Sequence, residues 1–174
     1  MEYLVSADLT TCLILFGLLL FSRGADFLST WIATPNLVLE ANPIARRLGW
    51  RGSLLVNLLV CLLFAVLPIP AIMIITTSLL VASRNFELAW LMRSMGEDAY
   101  RYWLVGRLAE ASRGVYIFCV VSQSLLTGVI GVALVVYGPP QAVPFAIGLG
   151  IITYSLTVAV YTLIAARNIP RSQV

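Results

Sequence analysis

Four ionisable residues interrupt runs that are otherwise apolar: Arg23, Asp26, Arg84 and Glu87. A charge inside a lipid-facing run is costly, so each needs a partner or a task. Arg23 and Asp26, like Arg84 and Glu87, are spaced i,i+3, which puts the members of each pair on one helix face. Asp26, with Glu87 as a second carboxylate, is the only familiar acid–base chemistry open here, that of an intramembrane enzyme. Polar side chains accompany them. Thr30 shares a face with Asp26, Asn57 lies in the next apolar run, Asn85 adjoins Arg84, and Gln123 comes early in a later run. Glu40 and Asn42 sit in the polar turn between. The candidate binding set is therefore Asp26, Thr30, Glu40, Asn42, Asn57, Arg84, Asn85 and Glu87, with no residue assigned a catalytic role.

The same charges also have a structural explanation. Two acids and two arginines balance, so Asp26 can pair with Arg84 or Arg23, and Glu87 with the arginine left over. In the turn, Asn42 suits a helix N-cap, Pro43 a first helical position, and Glu40 the positive end of that helix.

The chain that positions them has 174 residues, 60% hydrophobic and 11% charged, and a mean hydropathy of +0.96. Soluble domains carry about a quarter charged residues. The composition predicts one membrane domain over residues 1–174. All eleven basic residues are arginine; apart from Arg23 and Arg84 they are scattered around the ends of apolar runs rather than striped along a face, so the net charge of +3 is no nucleic-acid signature. The chain has no histidine, which removes most zinc sites and Ser-His nucleophiles. It has no lysine, which removes phosphate loops of the Walker type and Schiff bases. Cys12, Cys61 and Cys119 stand singly in apolar runs and read as small hydrophobes. The sequence names no cofactor, metal or prosthetic group.

Five runs are long enough to span a bilayer, at roughly 9–33, 44–67, 70–92, 113–137 and 142–166. The acidic start, MEYLVSAD, lacks the basic region of a signal peptide, so the first run is expected to be retained. Pro68 and Pro70 divide the second span from the third, and Gly138-Pro139-Pro140 the fourth from the fifth. With five spans every loop arginine falls on one side, whereas four would split them. The positive-inside rule then predicts an inner (plasma) membrane protein with its N-terminus outside and its C-terminus cytoplasmic. Trp31 and Trp50 read as interface anchors.

Between the third and fourth spans, Ser94-Met95-Gly96-Glu97 has the pattern of a capping box opening a short amphipathic helix over 95–111. Tyr100, Trp103, Leu104, Leu108 and Ala111 form its apolar side, and Glu97 and Arg101 are spaced to pair. Such a helix lies on the inner surface or docks a partner subunit. Ser124-xxx-Gly128 and Ala146-xxx-Gly150 are expected to let spans four and five approach closely. The fold class is an all-α polytopic membrane helix bundle, about five transmembrane helices and one short interfacial helix.

Asp26-x-x-Ser29-Thr30 followed by Glu40-x-Asn42-Pro43 resembles a family of small bacterial and archaeal membrane proteins with Asp-x-x-x-Thr and Glu-x-Asn-Pro elements. The likeness covers the first third of the chain. It implies a shared architecture and an important turn, not an activity. Three functional expectations follow in order: an accessory or structural subunit of a membrane assembly; a protein that binds or transports a lipid head group or small solute through a polar layer in the cytoplasmic half; and a carboxylate-dependent enzyme.

Overall fold

The computed structural model describes residues 8–40, 42–111, 113–140 and 142–167. They form six helices: α1 (Leu9–Ala33), α2 (Pro43–Phe64), α3 (Pro68–Met95), α4 (Glu97–Glu110), α5 (Arg113–Tyr137) and α6 (Val143–Arg167). All but α4 are long and apolar enough to cross a membrane.

The helix ends follow from local chemistry. Asp8 caps α1 by accepting from Thr11 N–H at 3.1 Å. The Thr11 hydrogen bonds hold the Asp8 carboxyl below its ordinary range. The cap therefore contributes above the ordinary carboxylate value and fades as pH falls through the lowered one. At the other end Pro35 stops α1 one residue after Thr34. Asn42 caps α2, accepting from Ile44 N–H at 3.0 Å, with Pro43 at the first position where no N–H is needed. Pro68 opens α3 on the same logic, two residues before the expected start.

α2 departs from the expected continuous span. Gly49, at φ 63° and ψ −172°, breaks it into a first short segment and a longer one from Trp50. That backbone region is open essentially to glycine alone. The Ser53 hydroxyl reaches back across the break to the Ala45 carbonyl at 3.5 Å.

The capping-box expectation is corrected too. Ser94 lies within the last turn of α3, its hydroxyl donating to the Leu91 carbonyl. Gly96, at φ 82° and ψ 152°, is the residue between α3 and α4, and no side chain caps α4. Glu97 turns instead to the Asn36 N–H at 2.7 Å, so it does not pair with Arg101. The ion pair on α4 is Arg107–Glu110 at 2.8 Å. Tyr100 is buried, while Trp103 and Leu104 stay exposed.

Packing orders the helices as a row, α2–α1–α3–α6–α5, with α3 at the centre. Arg23 meets Ser78 and Thr30 meets Asn85, so α1 and α3 run parallel. Thr77 donates to the Gly150 carbonyl at 3.0 Å, and α6 runs parallel to α3 as well. α2 and α5 flank this trio in the opposite direction.

Hydrophobic burial does not separate helix from lipid, so close approach and polar contacts must hold the row. The α1–α3 seam is built from small residues: Ser22, Ser29 and Ala33 against Ala71, Ser78, Ala82 and Ala89, all buried. The α5–α6 seam closes elsewhere than expected. Gly131 and Gly148 face each other there, each so close that an added Cβ would meet the other's carbonyl oxygen, at 2.8 and 2.7 Å. Gly128 lies on this seam against Ser155 at ordinary contact distance, but Gly150 packs on Met73 and Thr76 of α3.

Candidate functional site

The polar layer forms where α1, α2 and α3 meet, and its centre is Arg23. The guanidinium donates through Nε to Asn57 Oδ1 at 2.7 Å, and through Nη1 to Asp26 Oδ2 and Ser78 Oγ, both at 3.1 Å. One planar fork thus ties three helices together, a geometry lysine cannot reproduce. Arg23 lies fourteen residues into α1, about 21 Å along it at 1.5 Å per residue. Asp26 and Arg23 retain 21% and 28% of their side-chain exposure, so the pair is only partly buried.

One turn further along α1, Asn85 Nδ2 donates to Ser29 Oγ and Thr30 Oγ1, both at 3.3 Å. The Ser29 hydroxyl in turn donates to the Asp26 carbonyl at 2.9 Å. Asp26, Thr30, Asn57 and Asn85 therefore belong to one region, together with Arg23, Ser29 and Ser78.

Residues 34–40 form the turn that follows α1. Leu39 N–H donates to Thr34 Oγ1 at 3.0 Å, and Leu37 takes a left-handed φ of 58° to close the bend. Glu40 Oε1 accepts from Asn42 N–H at 2.7 Å, which joins Glu40 to the α2 cap. Glu40 is also within electrostatic reach of Asp26. Trp50 fastens the turn from the α2 side. Its Nε1 donates to the Pro35 carbonyl at 2.8 Å, and its ring meets Phe27 edge-on at 4.9 Å. Trp50→Phe keeps an aromatic ring for Phe27 but loses the donor, whose share of the loss is expected to be about 1 kcal/mol. Thermal unfolding in detergent measures this, and an unchanged midpoint would deny the tie any weight.

Arg84 and Glu87 do not join the layer. Seven residues beyond Thr77, Arg84 continues the stripe of α3 that faces α6, and Tyr116 of α5 lies within reach of its charge. Arg84 Nη1 is buried with no hydrogen-bond partner among the described residues. Glu87 is exposed, near the level where α1 ends, and forms no ion pair among the described residues. The expected pairing of Glu87 with a spare arginine is thus replaced by one pair, Arg23–Asp26, and two separate charges. Their i,i+3 spacing permits contact on α3 but does not compel it. Gln123 is exposed on α5 and does not reach the layer.

Ser78 escaped the sequence reading, and Ser29 entered it only as part of the Asp26-x-x-Ser29-Thr30 element, outside the candidate binding set. The signal existed: Ala71, Ser78 and Asn85 stand seven residues apart on α3, with Ala82 and Ala89 offset by four, the repeat of a helix–helix seam.

Chemically, the layer can hold helices together and stabilise a partly buried carboxylate. It offers no group of three potential metal ligands among the described residues. Compared with known proteins, the chain matches no protein-family model, no curated protein and no solved structure.

Proposed function

We infer that this chain is an accessory subunit of a membrane assembly, a small scaffold whose in-membrane charges hold its own helices. One observation carries this: Arg23 directs its donors to Asp26, Asn57 and Ser78 on three helices, rather than into a cleft. The row of helices adds support. α2 packs thinly on its neighbours, and Leu54, Leu55, Leu58, Leu59, Leu62 and Leu63 leave it an exposed apolar side on which another subunit's helix can seat. The expected setting is the inner (plasma) membrane. Arg46, Arg47, Arg51, Arg93, Arg101 and Arg107 belong to one end of the bundle, which under the positive-inside rule is the cytoplasmic end. In this reading the Asp-x-x-x-Thr and Glu-x-Asn-Pro elements are two halves of one brace. Thr30 holds Asn85, while Glu40 and Asn42 set the entry of α2.

Native mass spectrometry of the protein, extracted gently from its host membrane, tests the proposal. A second membrane protein in stoichiometric amount is the expected result. A bare chain that carries a small molecule, lost when Asp26 is changed, would overturn it. That outcome would favour the second reading, a lipid or solute site; a molecule lost only when Arg84 is changed would place it instead at Arg84 Nη1, which is buried with no partner among the described residues.

A further inference from the structure

The break at Gly49 detaches residues 43–48 from the axis of the longer part of α2. Three arginines, Arg46, Arg47 and Arg51, fall on this segment and just past the break, and all are exposed. None forms an ion pair among the described residues, where the pairs are Arg23–Asp26 and Arg107–Glu110. The sequence holds no acid between Glu40 and Glu87, and Glu40 Oε1 already accepts from the Asn42 N–H. Ile44 and Leu48, one turn apart, stand 66% and 44% exposed among these charges. The segment is tied down at the level where α1 ends. Trp50 Nε1 donates to the Pro35 carbonyl, and the Ser53 hydroxyl reaches back to that of Ala45. Asn42 Oδ1 takes the N–H groups of Ile44 and Ala45, at 3.0 and 3.5 Å, so an anion here must be met by the arginine side chains.

We propose that residues 43–51 form an interaction surface for anionic phospholipid head groups. Arg46, Arg47 and Arg51 meet the phosphodiesters, which a guanidinium matches with two parallel N–H donors. Ile44 and Leu48 enter the boundary with the acyl chains, as the apolar side of an interfacial helix does. The break frees the segment from the direction of the span, so that it can lie along the bilayer surface. Charge selects the occupant. Basic residues beside a span draw anionic lipid, and three arginines without acids are well matched to a net negative head group. A zwitterionic head group offers the same phosphate but adds an ammonium that these arginines repel. An acidic protein segment would answer the charges, but the level of Pro35, where α1 leaves its apolar length, is that of lipid head groups. The surface uses neither the Arg23 layer nor the leucines of the longer part of α2, so it stands or falls independently of the accessory-subunit proposal.

The test incubates the full-length protein in detergent with equimolar phosphatidylglycerol, phosphatidylethanolamine and phosphatidylcholine of identical acyl chains. Native mass spectrometry reads the adducts. The glycerol lipid is expected to dominate in the wild type. Arg46→Gln, Arg47→Gln and Arg51→Gln are each expected to lower that preference about fivefold, and the triple variant to abolish it. Gly49→Ala keeps every charge but cannot adopt the backbone of the break, and is expected to lower the preference too. Arg107→Gln, at an exposed arginine paired with Glu110, is the control and is expected to leave it unchanged. Equal retention of the three lipids by the wild type would overturn the proposal. So would a preference that survives in the triple variant, or in full in Gly49→Ala. A loss in Arg107→Gln as large as that in Arg47→Gln would also overturn it, because the net charge of this end would then suffice. An acidic protein held by the wild type and lost from the triple variant, with the lipids retained equally, would give the surface to a protein instead. Inorganic phosphate separates the sources: failure to displace the glycerol lipid at equal concentration supports a membrane ligand, and displacement would assign the arginines to a soluble anion.

Discussion

Arg23→Ala is expected to destabilise the bundle by about 2–4 kcal/mol, the largest effect of any single polar substitution here. The variant leaves Asp26 without its counter-charge, and Asn57 and Ser78 without their donor, at the one point where α1, α2 and α3 meet. A fully buried pair broken from one side costs about 3–5 kcal/mol. The residual exposure of 28% and 21% at Arg23 and Asp26 shifts the expectation toward and just below the lower end of that range. Arg23→Lys is expected to fall between, because one ammonium cannot reach Asp26, Asn57 and Ser78 in the same fork. Unfolding by denaturing detergent, followed by circular dichroism, measures both. A loss below about half a kcal/mol for Arg23→Ala would mean that the network does not hold the helices.

The second large effect lies in the other half of the row. Gly148→Ala is expected to cost roughly 1–3 kcal/mol, because the new methyl meets the Gly131 carbonyl oxygen, a backbone atom that cannot turn aside. α5 must then move away from α6 along the whole seam. Gly128→Ala is the control. It lies on the same seam but meets only Ser155 at 3.7 Å, an ordinary contact, and is expected to be close to neutral. Equal losses at both positions would show that the close approach to the Gly131 carbonyl does not set the response, since alanine is the better helix former at each.

The sequence made the spans readable because lipid imposes a simple rule: about twenty apolar residues, every backbone group bonded within the helix. Asp26 and Asn57 stood out for the same reason, as polar side chains in apolar runs. What failed was the finer matter of which groups meet. Ser78 is an unremarkable residue in a membrane helix, and its role depends on Arg23 arriving from a helix fifty-five residues away. Arg84 and Glu87 share a face on paper. In the fold that face turns toward α6 and α5 at Arg84 and runs out to the exposed end at Glu87.

Gly49 illustrates the opposite limit. It stands among Arg46, Arg47, Leu48, Trp50 and Arg51, where a second glycine, Gly52, follows three residues on and stays helical, so residue type alone does not mark the break in α2. Gly96 misled in another way. Ser94-Met95-Gly96-Glu97 fits a capping box in residue type, but Gly96 adopts a backbone conformation that ends α3, which leaves Ser94 on the wrong side of the boundary. Glu97 is then free to hold the turn at Asn36, a contact across sixty-one residues that no local pattern encodes.

The central claim is that the Arg23–Asp26 pair serves the fold and not a reaction or a ligand. A double-mutant series tests it most directly: Arg23→Met, Asp26→Leu and the two combined, each assayed for unfolding and for recovery of the membrane partner that the accessory-subunit proposal expects to co-purify. The account predicts that each single change destabilises, that the combination regains most of the loss, and that the refolded double variant still captures the partner. A double variant that folds as well as the wild type but no longer captures the partner would contradict it, because the charges would then be needed for more than holding helices.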